Sequence, residues 1–290
     1  MAAVRERIEA GRFVSIELLP PRTPVGEEAL ATAVRELVPL EPAFVAVTYG
    51  AAGTDRGRTE ALVEQLSTGP TLALPHLTCA AHRRAELTGQ LDRYRGMGVD
   101  NVLALHGDPP LSAPDALPEG ELRYAVDLLR LARDRGIGCV GVAVHPQGHP
   151  AAASPEADLR HQAAKLREAD FGLTQFVTDA ADYFRFIDAM AGRRVDTPVI
   201  PGLRTISTLA QAERMAAMSG APVAADLLRR LRDAEGDPSK AYRAGVEHTV
   251  EVCRRLLDGG APGLHFYTMN RAAATLEVCA HLGWTAVGQT

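Results

Sequence analysis

What this 290-residue chain lacks excludes several classes of protein. It has only four cysteines, Cys79, Cys139, Cys253 and Cys279, and none falls in a CxxC or CxxH spacing. That excludes a zinc or thiol redox motif and reads as reduced residues of a cytoplasmic protein. No apolar run approaches the roughly 20 residues a bilayer span needs, so no membrane attachment is expected. The first ten residues carry charges at helical intervals around no apolar stretch, unlike a secretory signal. The 31 basic residues are scattered among 36 acidic ones, for a net charge of -5, with no basic stripe and no interleaved aromatics, which argues against a nucleic-acid partner. No GxGxxG follows the first apolar run, as an open dinucleotide-binding sheet would require.

What is present is 46% hydrophobic residues, ample for a sizeable core, arranged in short apolar runs that alternate with amphipathic stretches. The runs predict eight strands at 13–18, 44–48, 71–77, 101–105, 139–144, 172–175, 198–202 and 263–267. Helices are predicted after them at 27–37, 58–66, 83–97, 122–135, 155–168, 180–190, 208–218 and 271–282. Two more helical patterns, 223–232 and 241–257, fall between the seventh and eighth strands. Strands apolar on both faces and joined through helices imply a parallel sheet that helices cover. Eight such units fit an α/β fold of the (β/α)8 TIM-barrel type, one domain over 1–290 with extra helices before the last strand.

Chemistry in such barrels gathers at the carboxyl ends of the strands. The polar residues there are Glu17, Thr48, His76, His106 with Asp108, His145 with His149, Gln175, and Tyr267 with Arg271. Glu17 ends an apolar run that stops at Pro20 and Pro21, and flanking Ile16, Leu18 and Leu19 would strip its water and raise its pKa into the range of a proton donor. Gly107 permits close approach of the backbone to a ligand. His145 and His149 have an HxxxH spacing, but Pro146 and Gly148 make that segment a loop, so no metal site is expected.

Eight stretches in order resemble the methylenetetrahydrofolate reductase family, flavoprotein barrels that reduce 5,10-methylenetetrahydrofolate with NAD(P)H. They are Ser15-Ile-Glu-Leu-Leu-Pro-Pro-Arg-Thr23, Phe44-Val-Ala-Val-Thr-Tyr-Gly-Ala51, Pro75-His-Leu-Thr-Cys79, Asn101-Val-Leu-Ala-Leu-His-Gly-Asp-Pro-Pro110, Gly148-His-Pro150, Ala157-Asp-Leu159, Thr174-Gln-Phe176 and His265-Phe-Tyr-Thr-Met-Asn-Arg271. The resemblance implies that Glu17 is the general acid that opens the imidazolidine ring, that Asp108 and Gln175 orient the pterin, and that Tyr267 and Arg271 belong to the substrate site, with the folate tail, the dinucleotide or a barrel-capping ion pair all open as the partner of Arg271. It also implies FAD against Thr48, His76, His106, Gly107, Asp108, His145, His149, Asp158 and Lys165, the last two seven apart on one predicted helix. Family members commonly form homo-oligomers.

The chain departs from the family where flavin binds. His106 stands for the usual Arg before Gly-Asp, His145 for a Tyr, His161 and Ala164 for an Asn and an Arg, and Leu209 for a stacking Phe. Three other readings therefore remain open. They are direct hydride transfer from the nicotinamide dinucleotide without FAD, reduction of another iminium or one-carbon carrier, and a catalytically silent folate-binding subunit.

Overall fold

The computed structural model describes residues 3–49, 56–69, 71–107 and 120–285. Eight parallel strands close in sequence order into a barrel: β1 (Val14–Leu18), β2 (Val45–Val47), β3 (Ala73–Thr78), β4 (Asn101–Leu105), β5 (Cys139–Val144), β6 (Phe171–Phe176), β7 (Val199–Leu203) and β8 (Leu264–Tyr267). β8 pairs with β1 in the register Val14 to Leu264 and Glu17 to Tyr267, which closes the ring. β4 and β5 fall where the sequence predicts them, and the other strands shift by one or two residues at an end.

The helices are α1 (Val4–Glu9), α2 (Pro24–Leu37), α3 (Arg56–Ser67), α4 (Arg84–Gly96), α5 (Ala125–Asp134), α6 (Pro155–Glu168), α7 (Ala180–Ala191), α8 (Leu209–Ser219), α9 (Ala225–Asp233), α10 (Pro238–Asp258) and α11 (Ala273–His281). Several start where the sequence supplies an oxygen for the unpaired N–H groups of a first turn. The Thr23, Ser154, Asp179, Thr208 and Asp237 side chains accept from backbone N–H groups two or three residues on. Pro24, Pro155 and Pro238 follow three of these caps, where a missing N–H costs nothing. α9 and α10 are the predicted extra helices before β8. No helix among the described residues is long and apolar enough to cross a membrane.

Two apolar layers hold the structure. The larger lies between barrel and helices, with Ile16, Leu18, Leu77, Val102, Val142 and Phe266 among its members. The smaller fills the barrel, where Phe44, Leu74, Leu103, Phe171, Leu173 and Ile200 meet. α1 belongs to this inner layer through Val4 and Ile8, and the Val4 N–H donates to Asn101 Oδ1 at 2.8 Å. This helix, which is absent from the strand and helix pattern expected from the sequence, thus plugs the amino end of the barrel. All four cysteines are buried and unpaired.

Candidate active site

Glu17 is the penultimate residue of β1 and only 7% exposed. Its Oε2 lies 3.5 Å from Nε2 of His76 on β3. β1 and β3 are not neighbours in the barrel, so this contact crosses the lumen. Burial pushes the Glu17 carboxyl up to about 8 and the His76 imidazole down to about 4. Both shifts favour the neutral form, so around neutral pH a protonated carboxyl faces an uncharged imidazole. His76 Nε2 has no hydrogen-bond partner among the described residues, and neither does Nε2 of His265 deeper in the lumen. His265 is held by Ser15 Oγ at 3.0 Å from its Nδ1 and is stacked on Phe44, and burial lowers its pKa to about 3.

Tyr267, the register partner of Glu17 on β8, donates its hydroxyl to the Thr174 carbonyl on β6 at 2.7 Å. The bond passes over β7 because residue 202 is glycine. A Cβ there would lie 2.5 Å from both the Thr174 oxygen and the Tyr267 ring. Burial and the nearby Glu17 carboxylate drive the Tyr267 phenol well above its usual range, so it stays protonated. Pairing between β6 and β7 shifts register between Leu173 and Phe176, an irregularity that re-aims side chains at a barrel rim. Gln175 sits in it, half-buried. Its Oε1 accepts from the Phe176 N–H, and its amide NH2 makes no hydrogen bond among the described residues. Glu17 and His76 thus meet across the barrel with Tyr267 beside Glu17 in the strand register, and Gln175 stands at the exit of β6, the strand that Tyr267 reaches. Asp108 lies outside the described residues. Gly107 before it takes φ +97° against Thr78.

Arg271 is exposed just past β8. Near it are Arg204, half-buried after the end of β7, and Arg214 on α8. Burial and these two cations lower the Arg204 pKa, and no carboxylate lies within ion-pair distance of the three arginines among the described residues. Sequence reading missed Arg204. The signal was available, since it is a cation one residue beyond a strand end.

The remaining expected residues form a second group over β2 to β6. Thr48 and His106 lie at strand exits, half-buried and exposed respectively. Asp158 is buried, and its Oδ2 already accepts from the His149 N–H at 3.2 Å and the Gln162 amide at 2.7 Å. Gln162 in turn grips the His145 backbone at both its N–H and C=O. Asp158 thus pins the loop after β5 instead of presenting a free carboxylate. Burial lowers His145 to about 3 and Lys165 to about 8, and Lys165 forms no ion pair among the described residues. Elsewhere Asp226, His248 and Glu251 lie close enough to share a cation, but Arg230 bridges both carboxylates and meets their charge.

A profile of the methylenetetrahydrofolate reductase family matches residues 3–283 of the chain. The chain is 33% identical over 273 residues to the 5,10-methylenetetrahydrofolate reductase of Escherichia coli K12, covering 93% of this chain and 90% of that one. It is 31% identical to methylenetetrahydrofolate reductase 1 of Schizosaccharomyces pombe, over 93% of this chain and 45% of that longer one. Among solved structures, a Clostridium thermocellum protein that binds two copies of 5-methyl-5,6,7,8-tetrahydrofolic acid superposes with a TM-score of 0.63 at 12% identity, covering 96% and 97% of the two chains. At that identity the likeness is one of fold.

Proposed function

Because the chain belongs to the methylenetetrahydrofolate reductase family of oxidoreductases, we propose that it reduces 5,10-methylenetetrahydrofolate to 5-methyltetrahydrofolate with NAD(P)H and with Glu17 as the acid. The observation that carries the acid role is the seat of Glu17. It is a buried carboxyl, raised to about 8, near the carboxyl end of β1 in a barrel whose amino end is plugged by α1. The reaction consumes one hydride and one proton. Protonation of the departing ring nitrogen breaks its bond to the methylene carbon and leaves an iminium, which takes the hydride to become the methyl group. A carboxyl that is mostly protonated at pH 7 supplies that proton and is recharged from solvent after product leaves. The unpartnered amide of Gln175 offers a donor to the pterin edge, Asp108 is assigned to the same pterin, and Tyr267 forms the adjoining wall. Arg204, Arg214 and Arg271 offer their charge to the carboxylates of the folate tail.

The family relays the hydride through FAD, whose isoalloxazine accepts it from the nicotinamide and passes it on. The residues here do not fit that group well. Its diphosphate brings two negative charges, and of the residues assigned to it here Lys165 is the one permanent cation among the described residues, with Asp158 Oδ2 engaged by His149 and Gln162 and His145 neutral. Residues 108–119 and 50–55 contain no Lys or Arg to make up the deficit. This charge inventory favours the second reading, direct hydride transfer from NAD(P)H to the iminium carbon.

Purified protein assayed for 5-methyltetrahydrofolate tests both points. Absence of product with either nicotinamide rejects the proposed reaction. Colourless protein that turns over in flavin-free buffer supports direct transfer, whereas yellow protein that loses activity with its flavin restores the relay.

A further inference from the structure

The pairing of β1 with β8 ends at Glu17 opposite Tyr267, yet the chain of β1 runs on through Leu18 and Leu19 before Pro20 and Pro21, which have no N–H to donate. Beyond the last strand pair, side chains from the turn after β8 take over as partners. Thr268 Oγ1 donates to the Glu17 carbonyl at 2.7 Å. The Asn270 side chain makes a matched pair with the Leu19 main chain, accepting its N–H at 2.9 Å and donating to its carbonyl at 2.8 Å. The Asn270 N–H also bonds Thr268 Oγ1 at 3.2 Å, so the two side chains form one clamp. The turn reaches this shape through two successive left-handed residues, Met269 at φ +52° and Asn270 at φ +56°. Methionine has no intrinsic preference for that conformation, and such strain persists only where surrounding contacts over-determine it.

We propose that Thr268 and Asn270 are positioning residues for the acid step, extending the strand pairing by side chains so that the Glu17 carboxyl is held in its dry seat near the carboxyl end of β1. This rests on the acid role proposed for Glu17 above. Every hydrogen bond of the clamp goes to main chain, so it acts on where the carboxyl sits through the backbone of β1. Among the described residues the titratable groups that face Glu17 are His76 from β3 and Tyr267 from β8, with His265 behind His76 and held by Ser15, while β2 presents Ala46 as its register partner. Loosening β1 from β8 admits water between these strands, and hydration lowers the carboxyl's pKa toward its ordinary value.

The test compares Asn270→Ala, Thr268→Val and Thr268→Ser with wild type, reading the Glu17 carboxyl by 13C NMR titration of ligand-free protein and separately reading kcat and folate KM. For Asn270→Ala and Thr268→Val the expected result is a Glu17 titration lower by about one to two units, kcat at pH 7 down by about two- to tenfold as the protonated fraction falls, and KM within about threefold. Thr268→Ser keeps its hydroxyl and is expected to match wild type in both readings, which also carries the comparison if Asn270→Ala fails to fold. A Glu17 titration unchanged in both Asn270→Ala and Thr268→Val, with kcat within about twofold, overturns the proposal. Wild-type protein that reduces no folate removes the acid reading instead, and the NMR arm still reports on the clamp.

Discussion

Replacing Glu17 with Gln should make the protein more stable at alkaline pH while abolishing its chemistry. The carboxyl titrates near 4.5 in an ordinary setting and near 8 in its folded seat. Below pH 4.5 it is protonated both folded and unfolded, and burial as an acid costs little. As pH rises from 4.5 to 8 the unfolded chain releases this proton and the folded chain retains it, so stability falls by about 1.4 kcal/mol per pH unit and then levels off. A raised pKa is thus a contribution present at low pH and lost as pH climbs through the folded value. The deficit reaches about 3 kcal/mol at pH 7 and about 5 kcal/mol above pH 8. Glutamine fills the same space without ionising. Its extra N–H, if unpaired, adds a cost of about 1–3 kcal/mol that does not vary with pH. The quantity to compare is therefore the slope. Urea unfolding of wild type and Glu17→Gln at pH 5.5, 6.5, 7.5 and 8.5, with linear extrapolation to water, should give a stability difference that moves by about 3 kcal/mol in favour of the variant across the series. Parallel pH profiles would refute the reasoning, since they would mean that Glu17 releases its proton as readily in the folded protein as in the unfolded one.

The other expectations address separate parts of the site. His76, His145 and His265 carry pKa values lowered by burial to about 4, 3 and 3, so their contribution is present above the ordinary value of 6.5 and is lost as pH falls below it; their imidazole NMR signals should stay flat from pH 8 to 5 while exposed histidines titrate. Gly202→Ala should cost about 1–3 kcal/mol in thermal or urea unfolding and displace Tyr267, because its Cβ would lie 2.5 Å from both the Thr174 oxygen and the Tyr267 ring. Wild-type stability in that variant would mean that the β6 to β8 bridge is slack. Arg204→Gln should raise folate KM about tenfold or more, with kcat within about twofold, if its charge meets the substrate's carboxylates. A change confined to the nicotinamide KM would place the dinucleotide there instead.

The barrel was legible because its signals are local and repeated. Residues 101–105 and 139–144 are apolar runs, and Ser154 before Pro155 marks a helix start that needs no tertiary context. α1 was not legible as a plug, since its six residues are too few to establish a buried face and only the barrel explains why Val4 and Ile8 are covered. The helix after β8 was expected from 271 and begins at Ala273, because the left-handed pair Met269 and Asn270 carries the chain back across β1 first. Methionine gives no sign of such a turn. At the site, the burial of Glu17 was expected from its apolar neighbours together with the strand pattern of the whole chain, and the side chain is indeed covered. Asp158 and Lys165 looked alike as two charges seven apart on one helix, yet one is sealed against Gln162 and the other stands without an ion pair among the described residues. Sequence spacing gives the face of a helix and not the depth at which each residue sits on it.

The claim on which the account turns is that a buried Glu17 delivers the proton that opens the folate ring. Its most direct test is the pH dependence of kcat/KM for reduction of 5,10-methylenetetrahydrofolate from pH 6 to 10, in wild type and in folded Glu17→Gln. With Glu17 as the acid, the wild-type rate is level at low pH and falls tenfold per unit above about 8 as the acid is lost, and the variant shows no detectable turnover. A variant that turns over at the wild-type rate with the same alkaline limb would contradict it.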